Sequence, residues 1–394
     1  MAREVLRHRY LEAVVAEDAL AAGKMAFISG PRQVGKTTVG RFLLQSEQNV
    51  FNWDDQRFRK KWVKDPVESV ADRGPGPVLL DEIHKDRRWK GRLKGLFDLR
   101  GDDVPIVVTG SARLDYFRKG GDSLLGRYIP YRLHPFSVGE ALRPPEPDRI
   151  LERRDSVFPL EDLMALGTFP EPLLGGSAQK AARWSRLRME RLVKEDLRDL
   201  RSVRDVEAVR VLGDLLADRV GSLLSVNGLR EDVQVAYATV RDWVGMLQML
   251  YHCFVIRPYS RKLHRVLTAG SKLYLYDVLQ VESEPARREN LVALHLLKAV
   301  HYWTDAALGE FDLMFLRTRD GKEVDFIVTR DRKPWMLVEC KSGQTAPDKA
   351  LVEYARLFST RHNYQVVSRK GHDRYFPEHK VRVLGIDRFL AGLV

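Results

Sequence analysis

At 394 residues the chain exceeds what one ordinary core holds, so several compact units of roughly 100–200 residues each are expected. A hydrophobic share of 44% beside 30% charged residues describes a globular chain that can bury a sizeable core under a solvated surface, so disorder is not the default. Lys and Arg number 66 against 54 Asp and Glu, and the formal charge of +12 favours a polyanionic partner, nucleic acid ahead of an acidic membrane surface.

The two cysteines, Cys253 and Cys340, have no partner at metal-ligand spacing, which argues against a disulfide framework or a zinc site and fits a reducing cytoplasm. The segment Met1–Tyr10 is charged rather than signal-like, and no apolar run reaches the ~18 residues of a membrane-spanning helix. A cytoplasmic protein without integral membrane association is expected.

From Lys24 to Leu133, short apolar runs (Met25–Ser29, Val50–Trp53, Pro77–Leu80, Val104–Thr109, Tyr128–Leu133) alternate with helical patterns, the rhythm of a parallel α/β sheet. After the first run comes Gly30-Pro31-Arg32-Gln33-Val34-Gly35-Lys36-Thr37, followed by Thr38 and a helical pattern. Gly-x-x-x-x-Gly-Lys-Thr between a strand and a helix wraps phosphates in backbone N–H groups, with Lys36 on the β- and γ-phosphates and the Thr37 hydroxyl on Mg²⁺. A chance glycine-rich turn would lack both flanks. The third run delivers Asp81 and Glu82 to the same sheet edge, where Asp81 is expected in the Mg²⁺ shell and Glu82 as the residue that deprotonates the attacking water. Thr109 and Ser111 end the fourth run; they sense the γ-phosphate or cap a turn.

These stretches, with Leu79–His84, Thr109–Arg113 and Ser123–Arg127, resemble the AAA-type ATPases that carry a C-terminal DUF4143 domain; the Gly167–Glu171 turn and Glu323–Phe326 extend the resemblance over nearly the whole chain. It implies that Arg127 touches nucleotide phosphate, across a subunit boundary in a homo-oligomer such as a hexameric ring. A surface salt bridge is the other reading of Arg127, and Arg113 and Arg118 are rival fingers.

Three prolines between Leu142 and Asp148 mark a boundary, placing the ATPase domain at 1–145. Residues 146–206 read as a helical linker, rich in arginine and broken by Gly167–Pro172 and Gly175-Gly176. Helical patterns followed by the candidate strands Phe254–Pro258 and Lys272–Tyr276 predict a winged helix over 207–282. Val240, Trp243, Val244, Leu247 and Leu250 form one core stripe, which leaves that helix poorly equipped to read bases. The loop cations Arg257, Arg261, Lys262 and Arg265 around Tyr259 suit phosphate contact and stacking on an unpaired base, or form a solvated loop.

The last segment, 283–394, has a helix at Glu289–Val300, strands at Phe311–Leu316, Val324–Val328 and Trp335–Glu339, and a helix near Asp348–Phe358. Glu339 and Lys341 share a strand face, and Asp325 on a neighbouring strand could join them. Such a trio can hold Mg²⁺ and steer water toward a phosphodiester. The pattern resembles the PD-(D/E)XK nuclease fold, which implies Asp325, Glu339 and Glu289 as metal ligands and Lys341 as a catalytic cation. A binding module that keeps the acids for structure is the alternative. His84, His252, His264 and His295 have no nucleophile at a telling spacing and are read as packing or surface residues.

The fold class expected is multidomain α/β: an AAA-type P-loop sheet, a helical linker, a winged helix and a PD-(D/E)XK-like domain. The function expected is a Mg²⁺-dependent, oligomeric ATPase acting on branched or single-stranded DNA. An ATP-gated DNA endonuclease and an ATP-dependent signalling or defence switch on protein partners are the rivals.

Overall fold

A computed structural model of the chain describes residues 8–101, 103–110, 124–140, 143–152, 156–192, 205–260, 270–318 and 321–394. The sequence calls at Ser111, Arg113, Arg118, Arg261, Lys262, His264 and Arg265 lie outside them. Two compact units result: Met1–Pro135 with Ala141–Pro144, and Phe136–Glu140 with Pro145–Val394.

The first unit is built on five strands: β1 (Met25–Ser29), β2 (Val50–Asn52), β3 (Val78–Asp81), β4 (Ile106–Thr109) and β5 (Tyr128–Arg132). They pair in parallel in the order β5-β1-β4-β3-β2. Helices α1 (Lys36–Phe42), α2 (Gln56–Lys64) and α3 (Trp89–Arg100) connect them. β1, β3 and β4 are buried throughout because both sheet faces are covered, which explains their continuous apolar reading. Alternation then sorts β3: Val78 and Leu80 join Phe27, Trp62, Trp89, Leu93 and Val108 in the core cluster. Leu79 points the other way, against Gly40 of α1, where an added Cβ would stand 2.7 Å from its Cδ1.

The second unit opens with helices α4 (Leu160–Leu166), α5 (Pro170–Gly175) and α6 (Ala178–Arg191), then α7 (Val206–Ala217), α8 (Val226–Val233) and α9 (Tyr237–Met249). Ser177, Asp205 and Ser225 cap α6, α7 and α8 by accepting backbone N–H groups of the first turn. On α9, Val240, Trp243, Val244 and Leu247 are buried, as their spacing requires. An antiparallel pair follows, β6 (Cys253–Pro258) and β7 (Lys272–Leu275), and its far end joins the C-terminal sheet through Arg257↔Met314 and Pro258↔Phe315.

That mixed, eight-stranded sheet runs β12-β13-β11-β10-β9-β8-β6-β7, with β8 (Phe311–Arg317), β9 (Glu323–Arg330), β10 (Lys333–Lys341), β11 (His362–Val367), β12 (Asp373–Phe376) and β13 (Val381–Gly385). Helix α10 (Glu284–Asp305) is buried from Asn290 to Val300; α11 (Lys349–Phe358) and α12 (Ile386–Ala391) complete the unit.

Residues 136–140 are stitched into this unit by polar bonds. Lys298 on α10 donates to Glu140 at 2.5 Å and to Ser137 at 2.8 Å, with both charged side chains almost fully buried. The Val138 N–H donates to His295 Nε2 at 2.9 Å, while Nδ1 lies 2.8 Å from the Leu291 carbonyl, which fixes the tautomer with the proton on Nδ1. Burial pulls the His295 pKa down to about 3, so the ring stays neutral.

Candidate nucleotide site and C-terminal acidic cluster

The loop between β1 and α1 takes its shape from residues at positive φ: Gly30 at 151°, Gln33 at 61° and Gly35 at 97°. Gly30 has a second constraint, since a Cβ there would fall 2.3 Å from the Leu133 carbonyl oxygen. The Lys36 ammonium folds back over the loop and donates to the carbonyls of Gly30 (2.9 Å) and Pro31 (2.7 Å). Arg9, which the sequence reading missed, supports the loop by donating to the Val34 carbonyl (3.0 Å) and to that of His134 (2.7 Å).

Parallel register brings the other side chains to this edge, because Asp81 lies beside Thr109 on one side and Asn52 on the other. Asp81 is buried and saturated: Oδ1 accepts from Thr109 Oγ1 at 2.6 Å, and Oδ2 from Thr37 Oγ1 at 3.0 Å and Asn52 Nδ2 at 2.9 Å. Asn52 was also missed, although the end of the second apolar run was its signal. Glu82 has left-handed backbone (φ 59°, ψ 19°), a conformation that costs a non-glycine residue of order 1 kcal/mol or more. It turns the carboxylate out of the strand to 3.5 Å from His84 Nε2 and 3.8 Å from Lys85 Nζ.

Arg127 lies elsewhere. It precedes β5, and Met25 and Tyr128 are register partners at the opposite end of the sheet from the loop. The five residues of β1 span roughly 16 Å, so Arg127 stands well away from the loop of its own chain. Its guanidinium forms a two-pronged ion pair with Asp98 at 2.6 and 3.2 Å.

In the second unit Asp325, Glu339, Lys341 and Glu289 do come together, around residues the sequence reading did not single out. Asp325 Oδ2 accepts the Cys340 N–H (3.0 Å), Glu339 Oε2 accepts the Asp325 N–H (3.1 Å), and Lys341 lies 2.6 Å from Glu339 Oε1 and 3.3 Å from Asp348. Lys272 on β7 contacts Asp325 Oδ1 at 3.1 Å, Glu289 Oε1 at 3.8 Å and Glu323 Oε1. Tyr274, two residues on and so on the same strand face, donates to Glu289 Oε1 at 2.8 Å.

Burial first, and then the neighbouring Asp325, push Glu339 up to about 8 and Glu289 up to about 7. Burial opposes the charge on Lys272, but Asp325, Glu289 and Glu323 outweigh it and hold the ammonium above the usual lysine range. A cleft of about 300 Å³, lined by Arg288, Glu289, Cys340, Lys341, Ser342 and Ser368 among others, opens beside this cluster. Among the described residues no three His, Cys, Asp or Glu side chains are grouped to hold a metal ion.

Of the expected nucleic-acid contacts, Arg257 is exposed on β6. The Tyr259 ring instead packs edge-on against Phe358 at 5.7 Å, and its N–H donates to the Phe315 carbonyl. His84, His252 and His295 are buried. No helix among the described residues is long and apolar enough to cross a membrane.

Segments of the chain are similar to known families. Residues 22–142 match the family model for an AAA domain, 158–278 that of a domain of unknown function (DUF8612), and 286–389 that of DUF4143. The uncharacterized proteins Mb2031c of Mycobacterium bovis and Rv2008c of Mycobacterium tuberculosis are each 22% identical over 367 residues, covering 88% of this chain and 79% of theirs. Among solved structures, the Orc1 protein of Aeropyrum pernix in complex with DNA overlaps at a TM-score of 0.31 and 16% identity, covering 73% of this chain and 95% of its own. The RuvB Holliday junction branch migration motor of Thermotoga maritima overlaps at 0.28 and 16%, covering 64% and 93%. The chain thus carries an N-terminal segment, on a five-stranded parallel sheet, that matches an AAA domain and a C-terminal segment that matches DUF4143.

Proposed function

We propose that the first unit binds ATP with Mg²⁺ and hydrolyses it, and that nucleotide state controls how the chain engages DNA. The observation that carries the first part is the hydrogen bond between Thr37 and Asp81, 3.0 Å long, at the foot of a loop over which Lys36 is already folded. A hydroxyl and a carboxylate so placed are the hard oxygen donors that Mg²⁺ prefers, and the ion, when bound with phosphate, neutralises charge there. Lys36, now held by two loop carbonyls, exchanges them for β- and γ-phosphate oxygens. Glu82, turned out by its left-handed backbone, orients a water whose oxygen attacks the γ-phosphorus. The bond to the β-phosphate oxygen breaks and the water's proton passes to Glu82. Thr109 holds Asp81 in place rather than reaching for phosphate itself.

Arg127 acts, on this reading, in a neighbouring copy of the chain. Its distance from its own loop supports a trans rather than a cis role, with Asp98 as its resting partner, while the same ion pair supports the surface-salt-bridge reading. DNA as the partner rests on the excess of cations and on the exposure of Arg257. We keep the division into 146–206, 207–282 and 283–394 within the second unit as part of the proposal; three helices followed by an antiparallel strand pair support the winged-helix segment.

The ATP-gated endonuclease is the second reading, favoured by the convergence of Asp325, Glu339 and Lys341 beside an open cleft. Incubation of the full chain with Mg²⁺ and ATP, with phosphate release and DNA binding followed in parallel, tests the first reading. Phosphate release that Lys36→Ala removes, and DNA affinity that changes between nucleotides, are expected. Equal DNA affinity with ATP, ADP and no nucleotide would contradict the coupling.

A further inference from the structure

The PD-(D/E)XK resemblance implies a divalent ion among Glu289, Asp325 and Glu339, and the side chains present do not fit one. We propose that Lys272 is the resident cation of this cluster, its ammonium standing where a divalent ion would have to bind, so that the site in this conformation takes neither Mg²⁺ nor Mn²⁺. The inference rests on the second reading above only for the location of the site.

Most of the cluster's carboxylate oxygens already have a partner. Asp325 Oδ1 meets Lys272 and Oδ2 meets the Cys340 N–H. Glu323 divides its oxygens between Lys272 and Arg317, the latter at 2.6 Å. Glu289 Oε1 takes the Tyr274 hydroxyl and faces Lys272, and Glu339 is engaged by Lys341 and the Asp325 N–H.

A bound Mg²⁺ needs oxygens at about 2.0–2.1 Å in octahedral array. Drawing these carboxylates inward would force two cations together or expel an ammonium whose side chain is 3% exposed. Leaving that ammonium buried without its partners is strongly unfavourable. Lys272 is also held from behind, over the Phe315 ring at 5.7 Å, and by a strand that pairs with β6 through Ile256↔Lys272. The acids therefore bind their own chain, tying β7 to α10 and β9.

Mn²⁺ binding to the nucleotide-free full chain tests this, with free Mn²⁺ read by electron paramagnetic resonance and melting followed with and without the ion. Wild type and Asp325→Ala are expected to bind Mn²⁺ alike. Lys272→Ala should gain an ion and a Mn²⁺-dependent rise in Tm, both lost in Lys272→Ala/Asp325→Ala. A Mn²⁺ ion on wild type that Asp325→Ala removes would overturn the proposal, and so would a folded Lys272→Ala that gains none. Should Lys272→Ala fail to fold, the wild-type and Asp325→Ala pair decides alone. DNA cleavage is scored separately, so a chain that never cuts DNA ends the endonuclease reading and leaves the metal result standing.

Discussion

Asp81, Thr37 and Lys36 show what a sequence discloses at the scale of single residues. Lys36 and Thr37 follow a strand at the motif's spacing and Asp81 ends the third apolar run, so local sequence sufficed to single them out as candidates; register then brought Thr109 to Asp81. Lys272 and Tyr274 are the contrary case. Their strand has an alternating pattern that puts both on one face, but nothing local says that this face meets Glu289 and Asp325, some 15 to 53 residues further along. Burial, too, decides protonation in a way that composition cannot show. Because Glu339 and Glu289 are pushed above the usual carboxylate range, the folded state holds their protons more tightly than the unfolded chain does. Their contribution to stability is full below about pH 4.5 and is lost as pH rises through about 7 to 8. Glu339→Gln, which cannot ionise, should therefore melt progressively higher relative to wild type as pH is raised across that window. Calorimetry at several pH values checks this, and a difference that stays flat with pH would count against the raised pKa.

Elements differ in how far their sequence announces them. Three of the five parallel strands, β1, β3 and β4, were legible because burial on both faces writes a continuous apolar run, and α9 because its buried stripe recurs at helical spacing. The attachment of β6 to β8 was not legible, since strand order is a tertiary outcome that a hairpin-like pattern does not encode. Nor was the seam at residues 136–140, although one lysine three residues after a histidine in the apolar run Leu291–Val300 was a signal: i and i+3 share a helix face. Two stability predictions belong here. Leu80→Ala, in the buried strand that ends in Asp81, should cost about 2–5 kcal/mol in urea unfolding. Lys298→Ala, which leaves Glu140 buried without its partner, should cost about 3–5 kcal/mol, more than Glu140→Gln/Lys298→Met. Near-wild-type stability of Lys298→Ala would mean that the pair does not fasten the segment.

In the proposed function a nucleotide-hydrolysing first unit governs how the chain engages DNA. If Arg127 serves a neighbour, Arg127→Ala mixed with Lys36→Ala should recover hydrolysis that neither has alone, and wild-type turnover should rise with protein concentration. Activity independent of concentration in a monomer would sink the trans role. Removing Arg257, Arg261, Lys262 and Arg265 should weaken DNA binding for all sequences and lower the salt slope by about 0.7–0.9 per lost phosphate contact. Unchanged affinity would move the DNA surface elsewhere. The central claim is tested most directly by measuring nucleotide affinity and steady-state ATP hydrolysis together on wild type, Lys36→Ala and Glu82→Gln. The account predicts lost binding for Lys36→Ala, and for Glu82→Gln retained binding with turnover reduced about 10²–10⁴-fold; wild-type turnover in Glu82→Gln, or ATP binding intact in Lys36→Ala, would contradict it.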